Sequence, residues 1–509
     1  MGESGFDYVV VGAGSAGCVL AARLLRRTEA RVFVLEAGTG RADAPTPTTP
    51  TRWVANVGSE FDRQYSDEPA PHTAGRAVPL ARGNVVGGSG SVTAMAWARG
   101  HRRDYDTWAR LGNPGWDFES LLPLFRRAED WEDGEDEYHG AGGPIRVERE
   151  KDLRPATTVF VEAALSLGLP CLPDHNVPEP LGAGPVAMNV RDGRRWSPWN
   201  GYLEPLLDHP RLTLRTEARV HRLEFSGSRC TGVSYEWRGQ RHVATASAEV
   251  LLAAGAVDTP RLLLRSGVGP AEELRRFGVD VVAGLPGVGR NLQDHPLVAG
   301  LCFEPEEPQP PVNAELSGTA TFCKSRADLP AADLMVLAMQ VPYLSPEIAA
   351  EYPPPPGAIG IVPALVRPRS RGFLRRVSAD GDLEIQPNFL AEQADVDAAV
   401  AGVELGLQLA DRPPYRKLAP SWVAPRGRLS RAELARFVRM SCVSYFHTCG
   451  TCAMGPGEGA VVDARLRVHG LDGLRVVDAS VMPVITSANT QAPTVVIAEA
   501  AADFLTDGR

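Results

Sequence analysis

The sequence predicts an α/β protein of two domains, opening on a βαβ unit of a parallel sheet. Three observations carry that prediction. The chain has 509 residues, more than one hydrophobic core usually serves, so two domains are expected. A short apolar run near the N-terminus flows directly into closely spaced glycines. A second such run follows one helix later and ends in an acid.

Phe6-Asp7-Tyr8-Val9-Val10-Val11 reads as a strand buried on both faces and enters Gly12-Ala13-Gly14-Ser15-Ala16-Gly17. Val19, Leu20, Leu24 and Leu25 then recur at helical spacing against Arg23, Arg26 and Arg27. The second strand, Arg31 to Leu35, closes on Glu36. This is a dinucleotide fingerprint in its structural context. Gly12 serves the tight turn, Gly14 lets the backbone approach a pyrophosphate, and Gly17 lets the helix pack close to the strand. The free amides at the helix start, around Ser15 and Ala16, meet the phosphates. Glu36, followed by Ala37, accepts hydrogen bonds from the ribose hydroxyls and repels a 2′-phosphate, which disfavours NADP. The motif stands at the N-terminus and no second GxGxxG with a downstream acid follows, which favours FAD over NAD.

Composition narrows the function classes. At 44% hydrophobic and 23% charged the chain is ordinary for a globular protein and can bury a sizeable cofactor. A formal net charge of −9 without a basic stripe argues against nucleic acid as the main partner. Lysine occurs only at Lys151, Lys324 and Lys417 while arginine is abundant, which reads as coding bias. Eight scattered cysteines lack the density of a disulfide scaffold. No run of eighteen or more apolar residues suggests a membrane span. Tyr8 to Leu25 could be taken for a signal core, but no basic segment precedes it and its glycines sit where a nucleotide turn needs them. A cytoplasmic location is expected.

Further motifs run to the C-terminus: Arg82 to Met95 (RGNVVGGSGSVTAM), Gly255 to Pro260 with Ser266 to Pro270, and Gly287 to Pro296. Phe446 to Gly455, Leu474 to Ser480 and Asn489 to Thr494 complete the set. In this order they resemble the signatures of the glucose–methanol–choline (GMC) oxidoreductases, most closely the bacterial choline-dehydrogenase-like and hydroxymethylfurfural-oxidase-like branch. The resemblance implies a Rossmann-like FAD-binding domain with an inserted α+β substrate domain on an antiparallel sheet. The expected FAD-binding parts are residues 1–151, 196–298 and 442–509; the substrate parts are 152–195 and 299–441. The substrate sheet is not derivable from the spacing of residues 299–441, which is irregular and broken by prolines.

The resemblance places Arg82, Val86, Gly87, Ser91, Thr93, Ala94 and Met95 against the flavin and Val220 against the adenine. It runs Asp478 and Ala479 past the pyrophosphate and brings Asn489 and Thr490 to the flavin. The small residues Gly87 to Ser91 let backbone amides lie against a planar ring. Two departures stand out: Gly90 replaces the family's usual serine, and Thr93 its usual asparagine. Where some members tether FAD through histidine this chain has Val92, so noncovalent FAD is expected.

Oxidising an alcohol requires a hydride acceptor and a base for the hydroxyl proton. His447 matches the family's base and Asn489 its partner, which donates to the substrate oxygen but does not titrate. His295 and His101 are read as structural. Cys449 and Cys452 form a CxxC, read as packing residues because no further metal ligands follow at suitable spacing. No GxSxG supports a hydrolase. Pro353 to Pro356 read as a surface loop. The expected activity is FAD-dependent oxidation of a small-molecule alcohol, with oxygen or another electron acceptor. The alternative within the same fold is a hydroxynitrile-lyase-type enzyme or a photodecarboxylase.

Overall fold

A computed structural model describes residues 2–313, 316–378 and 381–506. Strand Gly2–Val11 sits in the middle of a seven-stranded sheet, with Val9 and Val10 fully buried. Val32–Leu35 lies parallel on one side (Val9 opposite Phe33), and Leu212–Arg215 lies parallel beyond it. On the other side runs the 13-residue strand Gln240–Leu252, with Val9 opposite Val250. The far edge of that strand has two partners. Its first half pairs antiparallel with Arg229–Trp237, and its last residues pair parallel with Leu474–Val476. Helix Ser15–Arg27 packs against the C-terminal helix Gln491–Thr506, where Arg23 reaches buried Glu499 at 2.7 Å.

A second sheet of eight strands is antiparallel. Its main path runs Ser421–Ala424, Leu301–Glu304, Ile359–Leu365, Leu334–Met339, Thr319–Cys323 and Gly182–Pro185. Along Leu334–Met339 the pleat sorts side chains between two cores. Leu334, Val336 and Ala338 pack with Val396, Val400 and Val403 of helix Gln393–Ala410. Met335, Leu337 and Met339 join Trp53, Met95 and Val362 on the opposite face. That face roofs the cleft described next. Strands Pro296–Val298 and Cys442–Ser444 fall on the nucleotide side of the expected boundaries yet hydrogen-bond into this second sheet. Among the described residues no helix is long and apolar enough to cross a membrane.

Candidate active site

A continuous cleft runs between the two sheets, enclosing about 2160 Å³ of atom-free space with its mouth included. Gly12, Gly14, Ser15, Ala16, Glu36 and Ala37 line one end. Gly12 has φ +102°, and a Cβ there would lie 2.5 Å from the Ala253 carbonyl; at Gly17 it would lie 1.9 Å from the Gly12 carbonyl. Neither position admits a side chain. A Cβ at Gly14 would make only ordinary contact, at 3.8 Å, so this glycine keeps space open instead. Gly14 is the N-cap of helix Ser15–Arg27 and no side chain caps it. The helix start therefore presents amides suited to phosphate.

Glu36 is buried; its Oε2 accepts from the Ala13 amide at 2.8 Å and its Oε1 from the Gly38 amide at 2.6 Å. Arg63 stands 3.7 Å away. Burial pushes this carboxyl up, against the opposing pull of Arg63 and the two amides. A carboxylate has about four lone-pair sites, so acceptor capacity remains for a ribose. Val220 and Ala479 line the same end. Asp478 lines it too, but its Oδ2 is engaged by the Gly255 amide (2.8 Å) and the Thr259 hydroxyl (2.6 Å), and its Oδ1 by the Ser480 amide (2.8 Å). It fastens two chain turns rather than offering a free charge.

The middle of the cleft is floored by Arg82, Gly83, Gly88, Ser89, Gly90, Thr93, Ala94 and Met95. Val86, Gly87 and Ser91 do not line it. Val86 is fully buried, the Gly87 amide donates to the Ala13 carbonyl, and the Ser91 hydroxyl donates to the Val86 carbonyl. They support the floor from behind. The two departures have visible consequences. A Cβ at Gly90 would stand 2.7 Å from both Gln491 Nε2 and Ser15 Oγ, so the Gln491 amide fills the space of a serine. Thr93 donates its hydroxyl proton back to the Ser89 carbonyl at 2.9 Å and does not donate into the cleft. Val92 faces a small adjoining pocket with Asn56 and Val57, outside the main cleft.

At the far end the chain turns at Phe446, whose φ of +64° is unusual for an aromatic residue. The turn is held on three sides. Arg82 donates to the Phe446 carbonyl, Ser444 Oγ accepts from the Phe446 amide at 2.8 Å, and Asp294 Oδ1 accepts from the His447 amide at 2.8 Å. Asp294 is buried and pushed up to about 6 by that burial. The turn presents His447 to the cleft with its Nε2 3.2 Å from Asn489 Nδ2, and its Nδ1 2.9 Å from His295 Nδ1.

With the Asn489 amide as oriented, these contacts favour one set of proton positions. Asn489 Nδ2 is a donor, so His447 Nε2 accepts and the ring proton of His447 sits on Nδ1. His295 Nδ1 then accepts and the His295 proton falls on Nε2, which lies near the carbonyls of Thr486 and Val366 but makes no hydrogen bond to any described residue. His295, read from the sequence as structural, thus lies within hydrogen-bond reach of the His447 ring. Burial, then His295, then Arg82 hold His447 well below the usual histidine range. At neutral pH the ring is uncharged, and its one acceptor nitrogen, Nε2, faces the Asn489 amide.

His101 caps helix Arg102–Arg110 through its side chain, in line with its structural assignment. Cys449 and Cys452 are buried, unpaired thiols pushed up by that burial. The described residues contain no cluster of three metal-ligating side chains. Sequence reasoning did not single out Asp294, Gln491 or Arg63, and took His295 for a structural residue. Asp294, His295 and Gln491 sit inside or beside recognised motifs, but their partners are far along the chain. Gln491 Nε2 is buried without a hydrogen-bond partner among the described residues. An orphaned donor at the start of a helix, facing an uncapped helix start across a glycine floor, fits the acceptor-rich pyrophosphate and flavin of FAD.

Known proteins share this architecture throughout. Two GMC oxidoreductase family models match residues 6–297 and 368–498. The chain is 36% identical to mitochondrial choline dehydrogenase of Mus musculus, covering 99% of this chain and 90% of that protein. It is 36% identical to an oxygen-dependent choline dehydrogenase of Chromohalobacter salexigens, covering 98% and 94%. Among solved structures, pyridoxine 4-oxidase of Mesorbium loti superposes with a TM-score of 0.94 at 34% identity over 98% of both chains. An arginine-to-alanine variant of Aspergillus oryzae formate oxidase gives 0.90 at 26% identity, covering 99% of this chain and 98% of that one. With matches that run the length of the molecule, this FAD-binding chain belongs to the GMC oxidoreductase family.

Proposed function

We propose that this FAD-dependent oxidoreductase, acting on a CH–OH group, uses His447 Nε2 as the base for the hydroxyl proton and Asn489 to orient the substrate oxygen. The observation that carries this is the pairing of His447 Nε2 with the Asn489 amide at 3.2 Å, both residues lining the cleft. An entering hydroxyl takes the place of the Asn489 donor at Nε2, gives its proton to the ring, and receives a hydrogen bond from Asn489 Nδ2. His295 keeps the acceptor nitrogen facing the substrate, and the roof of the second sheet excludes water. FAD, when bound, supplies the hydride acceptor. Gly12, Gly14, Ser15 and Ala16 would hold its pyrophosphate, Glu36 its ribose, Val220 its adenine, and Gly88 to Gly90, Thr93 to Met95, Thr490 and Gln491 its flavin. Val92 offers no nucleophile for a tether, so the attachment is noncovalent.

The test is anaerobic mixing of the yellow protein with a panel of alcohols, following flavin bleaching, then admitting air to see whether oxygen restores the colour. His447→Ala should keep its FAD and bleach at least about a hundredfold more slowly. Near-normal bleaching in that variant would remove the base role.

A further inference from the structure

The arginines that line the cleft are Arg63, Arg82, Arg219, Arg261 and Arg265. Four of them belong to the nucleotide end. There Arg63 stands 3.7 Å from Glu36, Arg261 pairs with Asp258 at 2.7 Å, and Arg265 lies near both Arg261 and Arg219. Arg82 reaches the other way. Its guanidinium donates to the carbonyl of Phe446, the residue before His447.

The charge of Arg82 is not matched by a partner. Its Nε donates to the Ala81 carbonyl at 2.6 Å and one terminal nitrogen to the Phe446 carbonyl; the guanidinium makes no ion pair among the described residues. Asp294 and Asp62 are the carboxylates that act on it, and both are turned to other donors. Asp294 accepts from the His295 and His447 amides at 2.8 Å each and from the Ser444 hydroxyl at 2.6 Å. Asp62 accepts from the amides of Gly58 (2.9 Å), Gln64 (3.0 Å) and Arg82 itself (3.0 Å). Carbonyl partners satisfy the hydrogen bonds of a guanidinium and leave its charge uncancelled. Arg82 is half-buried, and it lines both the cleft and the small pocket beside Val92. A ligand lying on this floor closes over a group that stays protonated. Burying such a cation is unfavourable unless a negative charge arrives with the ligand.

We infer that Arg82 is the fixed counter-charge for the negative charge that alcohol oxidation places on the flavin. In that reaction the carbinol C–H bond breaks and its electron pair travels with the hydrogen to the flavin. The hydroxyl proton goes to His447, and the O–H electron pair becomes the second bond of the carbonyl. One negative charge thereby arrives on the flavin and one positive charge on His447. The second is opposed by burial and leaves with its proton; the charge of Arg82 stays. An attraction absent from the neutral reactants and growing as the hydride moves favours the transition state over the ground state. The inference rests on the flavin reading above, but its test uses no alcohol, so failure of the alcohol assignment and failure of this one are separate results.

The FAD-loaded parent, Arg82→Gln and Arg82→Lys are reduced anaerobically against reference dyes, at a pH above the ordinary histidine range so that His447 is neutral. Arg82→Gln keeps an amide donor and loses the charge, whereas Arg82→Lys keeps the charge. In Arg82→Gln the reduced flavin should be disfavoured at least about tenfold, a fall of about 30 mV in the two-electron potential. Arg82→Lys should recover most of that fall. Sulfite, which bonds to flavin N5 and leaves negative charge on the ring, should bind Arg82→Gln about tenfold more weakly than the parent. An unchanged potential in Arg82→Gln would overturn the inference. Equal falls in the two variants would overturn it as well, because they would trace the loss to the turn at Phe446 and not to the charge. Should Arg82→Gln fail to fold or to hold FAD, the parent decides: its bound flavin should have a potential above that of free FAD, and a value at or below it removes the counter-charge.

Discussion

The base role proposed for His447 requires that its Nε2 carry no proton, and its neighbours arrange this by different means. Burial disfavours the imidazolium, the uncharged His295 ring accepts a hydrogen bond from Nδ1–H, and the Arg82 guanidinium repels a second charge. Because the pKa is lowered, protonation that disables the base occurs below the usual range of histidine. The acid limb of kcat/KM should accordingly lie below about pH 6.5, with a plateau above it. A limb on the alkaline side of that value would contradict the assignment. His295→Leu removes the acceptor at Nδ1 and lets the tautomer redistribute. Flavin reduction should slow by roughly ten- to a hundredfold, as for other partners that orient a reacting imidazole, and His295→Asn should recover part of it. An unaltered rate and pH profile in His295→Leu would return that residue to a packing role.

At the scale of elements, the first strand–turn–helix is legible because its requirements are local. Gly12 and Gly17 are dictated by contacts with Ala253 and with Gly12 itself, close enough that only glycine fits. Gly17→Ala should therefore yield protein that is insoluble or free of FAD, read from the ratio of 450 nm to 280 nm absorbance; a yellow, folded variant would show that the helix can move away. The His447 turn is legible in a different way. Its motif was recognisable, but its support by Asp294 and His295 spans about 150 residues and leaves no periodic trace. The second sheet is the least legible. Leu334–Met339 reads LMVLAM, apolar on both faces, so the alternation that normally announces a strand is missing. The reason is physical: one face meets a helix and the other roofs the cleft. Val86, Gly87 and Ser91 show the converse limit, since a motif identifies a loop without saying which of its residues face the ligand.

In the molecule as a whole, charge is buried where the two expected domains meet. Arg99 and Glu129 pair at 2.7 Å with no exposure, and His139 bridges Glu129 and Asp174 at 2.9 Å to each. Burial lowers the His139 pKa, but hydrogen bonds to Asp174 and Glu129 outweigh it and push the ring up to about 9. The folded state thus holds this proton more tightly than the unfolded chain, where histidine titrates near 6.5. Its stabilisation is fully present below about pH 6.5 and is lost as pH rises through about 9. The melting temperature should fall by a few degrees across that window, and less in His139→Gln; equal slopes in the two proteins would discount the network. The forked strand Gln240–Leu252 carries a different kind of consequence. One branch is paired by Arg229–Trp237, made just before it, while the other waits for Leu474–Val476, more than two hundred residues downstream. During synthesis on the ribosome the sheet edge beside the glycine turn stays bare until Leu474–Val476 has emerged. A nascent chain stalled before Leu474 would have a nucleotide motif but no finished socket.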